Sequence, residues 1–166
     1  HLREAGIGED RARAEVADIS RFRLPGRFDL ITAPFRVLQN IEEDAAVDGL
    51  MRCVGEHLAS GGSCVLNTFN PNRSRERIVA EWCTDEERLS WEIPLPDGRV
   101  TCHFTQPRMD AERLILYPEL IYRRYVGDEL AEESVLKIAM RCYYAEDLLE
   151  LVTGHGFRVL ETWGGY

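Results

Sequence analysis

Apolar residues in the first part of the chain fall into two short runs separated by a helical pattern. The run at 28–33, Phe-Asp-Leu-Ile-Thr-Ala, predicts a central strand covered on both faces. Over 44–60 the apolar residues recur every three or four positions, which predicts a helix that stops at Gly61. The run at 63–69 predicts a second buried strand, and the order strand, helix, strand predicts a parallel crossover. Four further elements are predicted: the end of a helix at 2–6, strands at 14–17 and 157–162 and a helix at 144–153.

The pattern changes after Pro71. A polar helix is predicted over 73–88, and the chain then alternates between apolar and polar residues. Strands are predicted at 91–95, 100–104 and 114–125, with a fourth over 135–143; the turn Pro96-Asp97-Gly98 joins the first two. The sequence therefore predicts an antiparallel meander inserted into a parallel α/β fold.

Composition narrows the classes of partner. The 166 residues suffice for one domain, and 45% hydrophobic with 30% charged residues is typical of a globular protein. The net charge of −9 argues against a nucleic-acid partner. Five cysteines without a C-x-x-C pair argue against a zinc site and a disulfide framework, so a reducing cytoplasm is expected. No apolar run is long enough to predict a membrane span.

Several segments resemble one family. Residues 17–20 read Ala-Asp-Ile-Ser, 28–36 read Phe-Asp-Leu-Ile-Thr-Ala-Pro-Phe-Arg, and 57–71 end in Leu-Asn-Thr-Phe-Asn-Pro. In this order and spacing they resemble class I S-adenosylmethionine-dependent methyltransferases. The resemblance implies an α/β fold with a partial Rossmann-like parallel sheet and an inserted antiparallel β cover. The implied division is a core formed by 1–72 and 143–166, incomplete at both ends, with the cover at 73–142.

The resemblance also implies S-adenosylmethionine as the cofactor, bound at strand ends. Asp18 would accept a hydrogen bond from the adenine amino group, and the Ile19 backbone N–H would meet a ring nitrogen. The alternative for Asp18 is a turn or capping residue, and the alternative for Phe35 is a place in the core. The cofactor-binding residues implied are Asp18, Ile19, Ala33, Pro34, Phe35 and Leu38.

Acceptor-binding residues are predicted from their chemistry. Arg36 and Arg141 carry guanidinium groups that can pair with an acid, with ion pairs in the protein as the alternative; for Arg141 the expected partner is the helix that follows it. The amides of Gln39 and Asn40 can orient an acceptor, although helix capping is the simpler account for Asn40. The predicted acceptor-binding set is Arg36, Asn40, Tyr125 and Arg141. A base, where the acceptor needs one, is expected among the polar-tipped side chains of the cover and its end, namely His103, Tyr117, Tyr122, Tyr125, Tyr143 and Tyr144.

The family's glycine-rich turn and second acidic residue have no counterpart before Asp18. Gly6-Ile7-Gly8 follows no strand and is rejected as that turn. The hypothesis is therefore methyl transfer to a small-molecule acceptor by a longer enzyme, of which this segment alone would not be competent; no metal is expected and the catalytic residues stay unknown. The alternatives are a non-catalytic module used for dimerisation or partner binding, with a homodimer as the assembly, and another nucleotide-binding enzyme.

Overall fold

The computed structural model describes Gly6 and residues 11–164, so most of the short helix end predicted over 2–6 lies outside the described residues. The elements, in chain order, are β1 (Phe28–Ala33), a short 3-10 helix (Val37–Asn40), α1 (Asp44–His57), β2 (Leu58–Leu66), α2 (Arg75–Glu81), β3 (Thr84–Leu95), β4 (Gly98–Asp110), β5 (Ile115–Val126), β6 (Glu129–Lys137), β7 (Met140–Arg141) and α3 (Ala145–Gly154).

The first region of the fold is a parallel pair of strands with helices on one face. β1 pairs in parallel with β2, as the strand, helix, strand order predicted. Ile31, Cys64 and Leu66 pack on this face against the buried side of α1, and α3 adds two leucines. The fully buried part of this core consists of Leu38, Ile41, Val47, Leu50, Val54 and Tyr143.

The opposite face of the parallel pair carries exposed apolar side chains. Phe28 is 39% exposed, Leu30 58% and Val65 42%. The prediction that 28–33 forms a central strand covered on both faces is therefore wrong, because β1 pairs only with β2 among the described residues. The runs at 14–17 and 157–162 are also not strands, since neither joins a ladder.

The second region is an antiparallel sheet with the strand order β3-β4-β5-β6, and β7 pairs with β5 beyond the end of β6. The inserted meander predicted from the sequence is confirmed. α2 lies over one end of this sheet, where Ile78, Leu114, Leu116 and Cys142 form a separate buried cluster.

Element ends differ from the prediction at several places. The strand predicted over 135–143 is two strands, β6 and β7, and the strand predicted over 63–69 is β2, which covers Leu58–Leu66. α1 ends at His57, before Gly61, because Leu58 already pairs with Phe28; Gly61, at φ +79°, lies where the register of β2 shifts. The helix predicted over 73–88 covers only Arg75–Glu81, and β3 begins at Thr84. The polar first half of β3 pairs with the C-terminal half of β4. The spacing of apolar residues along the sequence does not reveal this pairing.

Candidate functional site

The two regions meet at Gln39, a glutamine that is only 1% exposed. Its amide oxygen accepts from the Phe69 backbone N–H at 2.5 Å, and its Nε2 donates to the carbonyls of Phe69 (3.2 Å) and Arg141 (2.8 Å). One buried side chain therefore fixes the segment that leaves β2 against β7 of the antiparallel sheet. Because every polar atom of the amide is used inside the protein, the structure does not support the predicted role of Gln39 in orienting an acceptor.

Asp18 lies in a turn that packs against α1. Its Oδ1 accepts from the Ser20 backbone N–H at 2.9 Å and from the Ser20 hydroxyl at 2.7 Å, while Arg21 pairs with Oδ2 at 2.8 Å. These contacts, those of Ser20 above all, lower the pKa of the Asp18 carboxyl. The carboxylate is therefore ionised at neutral pH. The neighbouring Ile19 side chain is 36% exposed.

The loop after β1 has an unusual backbone. Phe35 and Arg36 both adopt left-handed conformations, at φ +54° and +64°, which side chains other than glycine disfavour. Phe35 is 90% exposed. Strained residues of this kind cost on the order of 1–3 kcal/mol each and are concentrated at functional sites. The Arg36 guanidinium stacks over the Phe69 ring at 5.2 Å, which connects this loop to the end of β2.

A cavity of about 580 Å³ opens beside Phe69, between α2 and the antiparallel sheet. Its apolar wall includes three aromatic side chains, Phe69, Trp82 and Phe104. The remaining lining residues are Pro71, Asn72, Arg73, Ile78, Glu81, Thr84, Arg88, Gln106, Leu116 and Cys142. Its lining is divided about equally between apolar and polar side chains, and its size is within the range of small-molecule sites.

Two ionisable groups in the cavity wall are poor bases. Burial raises the pKa of the Cys142 thiol to about 11, so it is a neutral thiol at neutral pH. Hydrogen bonds from Arg77 lower the pKa of Glu81, which keeps that carboxylate ionised and weakly basic. The cavity lining therefore contains no group suited to remove a proton from a hydroxyl acceptor at neutral pH.

Comparison with known proteins gave matches among solved structures only; no family model and no curated protein matched the sequence. A S-adenosylmethionine-dependent methyltransferase from Clostridium acetobutylicum matches 93% of this chain and 56% of its own, with 17% identity and a TM-score of 0.67. The CcbJ methyltransferase from Streptomyces caelestis matches 88% and 53%, with 16% identity and a TM-score of 0.67. CalS10, an amino pentose methyltransferase from Micromonospora echinaspora solved with bound S-adenosylmethionine, matches 84% and 54%, with 16% identity and a TM-score of 0.64.

The chain has the methyltransferase fold. It spans little more than half the length of these three structures. The fold class implied by the resemblance of segments 17–20, 28–36 and 57–71 is thereby confirmed. Identities of 16–17% extend this conclusion to the fold alone.

Within the methyltransferase fold, the predicted cofactor residues differ in accessibility. Asp18 and Phe35 are exposed, as a binding role requires, and the Phe35 ring does not enter the core. Leu38 is 1% exposed and belongs to the core, so its side chain cannot reach a ligand in this structure. The contribution of Ala33 and Pro34 stays a prediction, and the Ala33 carbonyl already accepts from the Asn67 backbone N–H.

The predicted acceptor residues do not come together. Arg141 donates to Asp44 of α1 at 2.5 Å, so its ion-pair partner is α1 and not the helix that follows it. Asn40 donates to the Arg36 carbonyl at 3.5 Å and does not cap α1, whose N-cap is Glu43. Tyr125 lies under the Arg99 guanidinium, ten residues farther along β5 than the partner of Arg141. At the rise of a strand this is roughly 30 Å, too far for one small acceptor to contact both residues within a chain.

The side chains proposed as bases also lie away from the cavity. None of His103, Tyr117, Tyr122, Tyr125, Tyr143 and Tyr144 lines it. Tyr117 donates to Glu42 at 3.0 Å, and burial and this hydrogen bond raise the pKa of its hydroxyl. Tyr144 donates to the Arg73 carbonyl at 2.8 Å. The tyrosines of the antiparallel sheet therefore serve mainly in packing and in contacts between elements.

Two further features are absent from the described residues. Over Gly6 and residues 11–164, no three His, Cys, Asp or Glu side chains are grouped in a way that could hold a metal ion. No helix in the same residues has the length and apolar character needed to cross a membrane.

The strained loop and the cavity were not predicted. Neither Phe35 nor Arg36 is a residue type that indicates a left-handed backbone. The cavity lining comes from the loop after β2, from α2 and from three strands, and its charged members Arg73, Glu81 and Arg88 fell within one predicted polar helix. The only sequence signal for this site was the Asn70-Pro71 break that ends the second apolar run.

Proposed function

We propose that the protein transfers a methyl group from S-adenosylmethionine to a small-molecule acceptor bound in the 580 Å³ cavity. One observation carries this proposal. The loop that the resemblance assigns to the methionine part of the cofactor, at residues 33–35, is followed by Arg36, which contacts Phe69, and Phe69 also lines the cavity. A donor at the loop and an acceptor in the cavity would therefore be neighbours, as an in-line displacement requires.

The residues present fit the cofactor at two points. The Asp18 carboxylate is exposed and ionised, so it can accept from an exocyclic amine. Phe35 offers an exposed ring on a fixed backbone. When bound, S-adenosylmethionine supplies an electrophilic methyl group on a sulfonium. The chain contributes orientation and the aromatic side chains of the cavity wall.

The acceptor that suits the cavity is a nucleophile whose lone pair is available without removal of a proton. Since neither Cys142 nor Glu81 is suited to take a proton from a hydroxyl, a neutral amine is the favoured nucleophile. The name of the structural neighbour CalS10, an amino pentose methyltransferase, agrees with such an acceptor.

The experiment is isothermal titration of S-adenosylhomocysteine into the complete protein and two variants. Asp18→Ala should weaken binding about tenfold or more, because a hydrogen bond to a charged group contributes about 1.5–3 kcal/mol. The matched control is Asp29→Ala, which removes an exposed carboxylate of β1 that forms no hydrogen bond or ion pair with another described residue. Equal binding by both variants would remove Asp18 from the site, and no binding by the unsubstituted protein would refute the proposal.

A second candidate is a non-catalytic role in dimerisation, and the geometry of β6 favours it. All nine residues of Glu129–Lys137 are exposed, and the outer edge of this strand is unpaired among the described residues. Such an edge can pair with a second copy of the chain. Sedimentation velocity would measure the association; a monomer at all concentrations would contradict this candidate, whereas dissociation of a dimer by Val135→Lys would support it.

We also propose a cytoplasmic location. All five cysteines are free thiols, and Cys83 is exposed. A reducing compartment keeps such thiols from oxidation.

A further inference from the structure

We propose that the acceptor carries an oxyanion, a carboxylate or a phosphate, that binds Arg73 and Arg88 beside the aromatic wall of the cavity. This inference rests on the proposed function, because it names the acceptor class of the same cavity. The arginines of the cavity lining have N–H donors that make no hydrogen bond with the described residues.

Arg73 has an unused guanidinium. Its Nη1 lies 3.6 Å from Glu81, which is an ion pair but too long for a hydrogen bond. No N–H of this guanidinium donates to another residue that the structure describes. A fork of free donors on a side chain that lines a cavity matches a carboxylate or phosphate in both charge and shape.

Arg88 provides a second cation on the same lining. Its Nε and Nη2 donate to Glu86 at 3.1 and 2.6 Å, and Nη1 makes no hydrogen bond with the described residues. The Glu86 side chain is 63% exposed, so this ion pair is weak and competes poorly with a ligand anion.

Glu81, the only carboxylate among the described residues that line the cavity, is already neutralised. Arg77 donates to both of its oxygens at 3.2 Å, from Nε and from Nη2. Glu81 is therefore held by Arg77 and faces Arg73 as well, so it offers little attraction to a ligand cation. The lining has two guanidiniums against this one paired carboxylate, in a chain whose net charge is −9.

The rest of the lining determines the body of the acceptor. The side-chain amides of Asn72 and Gln106 make no hydrogen bond with a described residue, so they are free to orient polar groups. Phe69, Trp82 and Phe104 supply flat apolar surface. The ligand class that fits is a flat or apolar molecule with one anionic substituent.

The test measures dissociation constants of four probes by saturation-transfer NMR on the complete protein without cofactor. Benzoate, phenyl phosphate, benzamide and benzylamine share one ring and differ in charge. We expect at least one of the two anions to bind about tenfold more tightly than benzamide, since charge-assisted hydrogen bonds are about twice as strong as neutral ones. Benzoate and phenyl phosphate then distinguish a carboxylate from a phosphate.

Three variants locate the anion. Arg73→Gln and Arg88→Gln should each lower the affinity for the preferred anion several-fold, and leave that for benzamide unchanged. Arg52→Gln, on the exposed side of α1, is the control and should change neither. Equal binding of benzamide, tighter binding of benzylamine, no binding of any probe, or an anion affinity unaffected in both cavity variants would each overturn the inference. Binding of S-adenosylhomocysteine is measured on the same samples. It tests folding and the proposed function independently of the anionic probes.

Discussion

The parallel and antiparallel regions of this chain differ in how far each completes its own packing. The parallel pair β1 and β2 buries one face against α1 and leaves Leu30 58% exposed on the other. The antiparallel sheet pairs four long strands in sequence order through short turns. Hairpins join neighbours in sequence, whereas parallel strands need partners from distant segments. A chain segment can therefore complete an antiparallel sheet more readily than a parallel one.

Several polar contacts join the two regions. Besides Gln39, the Tyr117 hydroxyl donates to the Glu42 carboxylate, and Arg113 contacts the Glu42 carbonyl. Arg141 pairs with Asp44. These contacts converge on the segment between β1 and the first turn of α1, and Arg75 of α2 joins the regions at a second place through its ion pair with Asp147 of α3.

The strongest way to break this coupling is Gln39→Leu. The substitution leaves the N–H and C=O of Phe69 and the C=O of Arg141 without their partner, and unsatisfied buried groups cost about 1–3 kcal/mol each. We expect a loss of roughly 3 kcal/mol or more in the free energy of unfolding, measured by urea denaturation. Asn40→Leu is the neighbouring control and should cost less than about 1 kcal/mol, because its single bond to Arg36 is long and exposed. Equal losses would show that Gln39 does not join the regions.

A substitution confined to the parallel region tests the loop at Asp18. A Cβ added at Gly49 of α1 would lie 2.4 Å from the Ser20 carbonyl oxygen, so Gly49→Ala must displace the turn that holds Asp18. We expect a destabilisation of about 1–3 kcal/mol, the usual cost of overpacking, together with weaker binding of S-adenosylhomocysteine.

Gly55→Ala in the same helix is the matched control, since its Cβ would meet only Phe157 at 3.7 Å. The gain in helix propensity should stabilise it by up to about 1 kcal/mol. Thermal unfolding and titration calorimetry measure both effects. Stabilisation by Gly49→Ala as well would mean that the Ser20 turn moves freely and does not depend on α1.

How far the sequence predicts this molecule depends on whether the relevant neighbours are local. Periodicity located α1 and both parallel strands, and the turn at Asp97 located the meander. It failed at 14–17 and 157–162, where apolar runs have no strand beside them. The apolar composition of β1 also predicted burial on both faces. Composition does not indicate which neighbouring segments are present to cover a strand.

The site was less predictable than the fold. Asp18 and Phe35 follow from resemblance, and both are accessible. The function of Gln39 depends on Arg141, which is 102 positions away, and no spacing rule connects them. The free N–H donors of Arg73 could not be predicted from the sequence either, because they depend on Glu81 being held by Arg77.

A smaller effect on stability depends on pH and involves Arg141, at one end of the antiparallel sheet. Arg141, chiefly through its hydrogen bond, lowers the pKa of Asp44. A folded-state pKa below the ordinary value of 3.8 adds stability above that pH, which is lost as the pH falls through the folded-state pKa. Asp44→Asn should therefore destabilise the protein at pH 7 by about 0.2–1 kcal/mol, the range of exposed ion pairs. It should also flatten the decline in stability below about pH 4.

Urea unfolding at a series of pH values measures the Asp44 effect. Asp29→Asn, which removes a carboxylate without a described partner, should leave the acid limb of the profile unchanged. An unaltered profile in Asp44→Asn would mean that Arg141 and Asp44 do not interact in solution.

An effect of similar size concerns the far end of the sheet. Tyr125→Leu removes the ring that stacks under Arg99 at 4.2 Å, and an exposed contact of this kind contributes about 0.5–1 kcal/mol. Because Tyr125 is distant from the cavity along β5, binding of the anionic probes should not change. A loss of probe binding in Tyr125→Leu would show that this end of the sheet lies beside a cavity. In a dimer, that would be the cavity of the second copy.

The left-handed pair at Phe35 and Arg36 has a consequence for how this protein can change over generations. Glycine at either position would relieve backbone strain and raise thermal stability. The same change would add freedom that a bound ligand must then restrict, which lowers affinity. Selection for heat tolerance alone would therefore favour glycine here, and only continued selection for the bound function would retain the two larger residues.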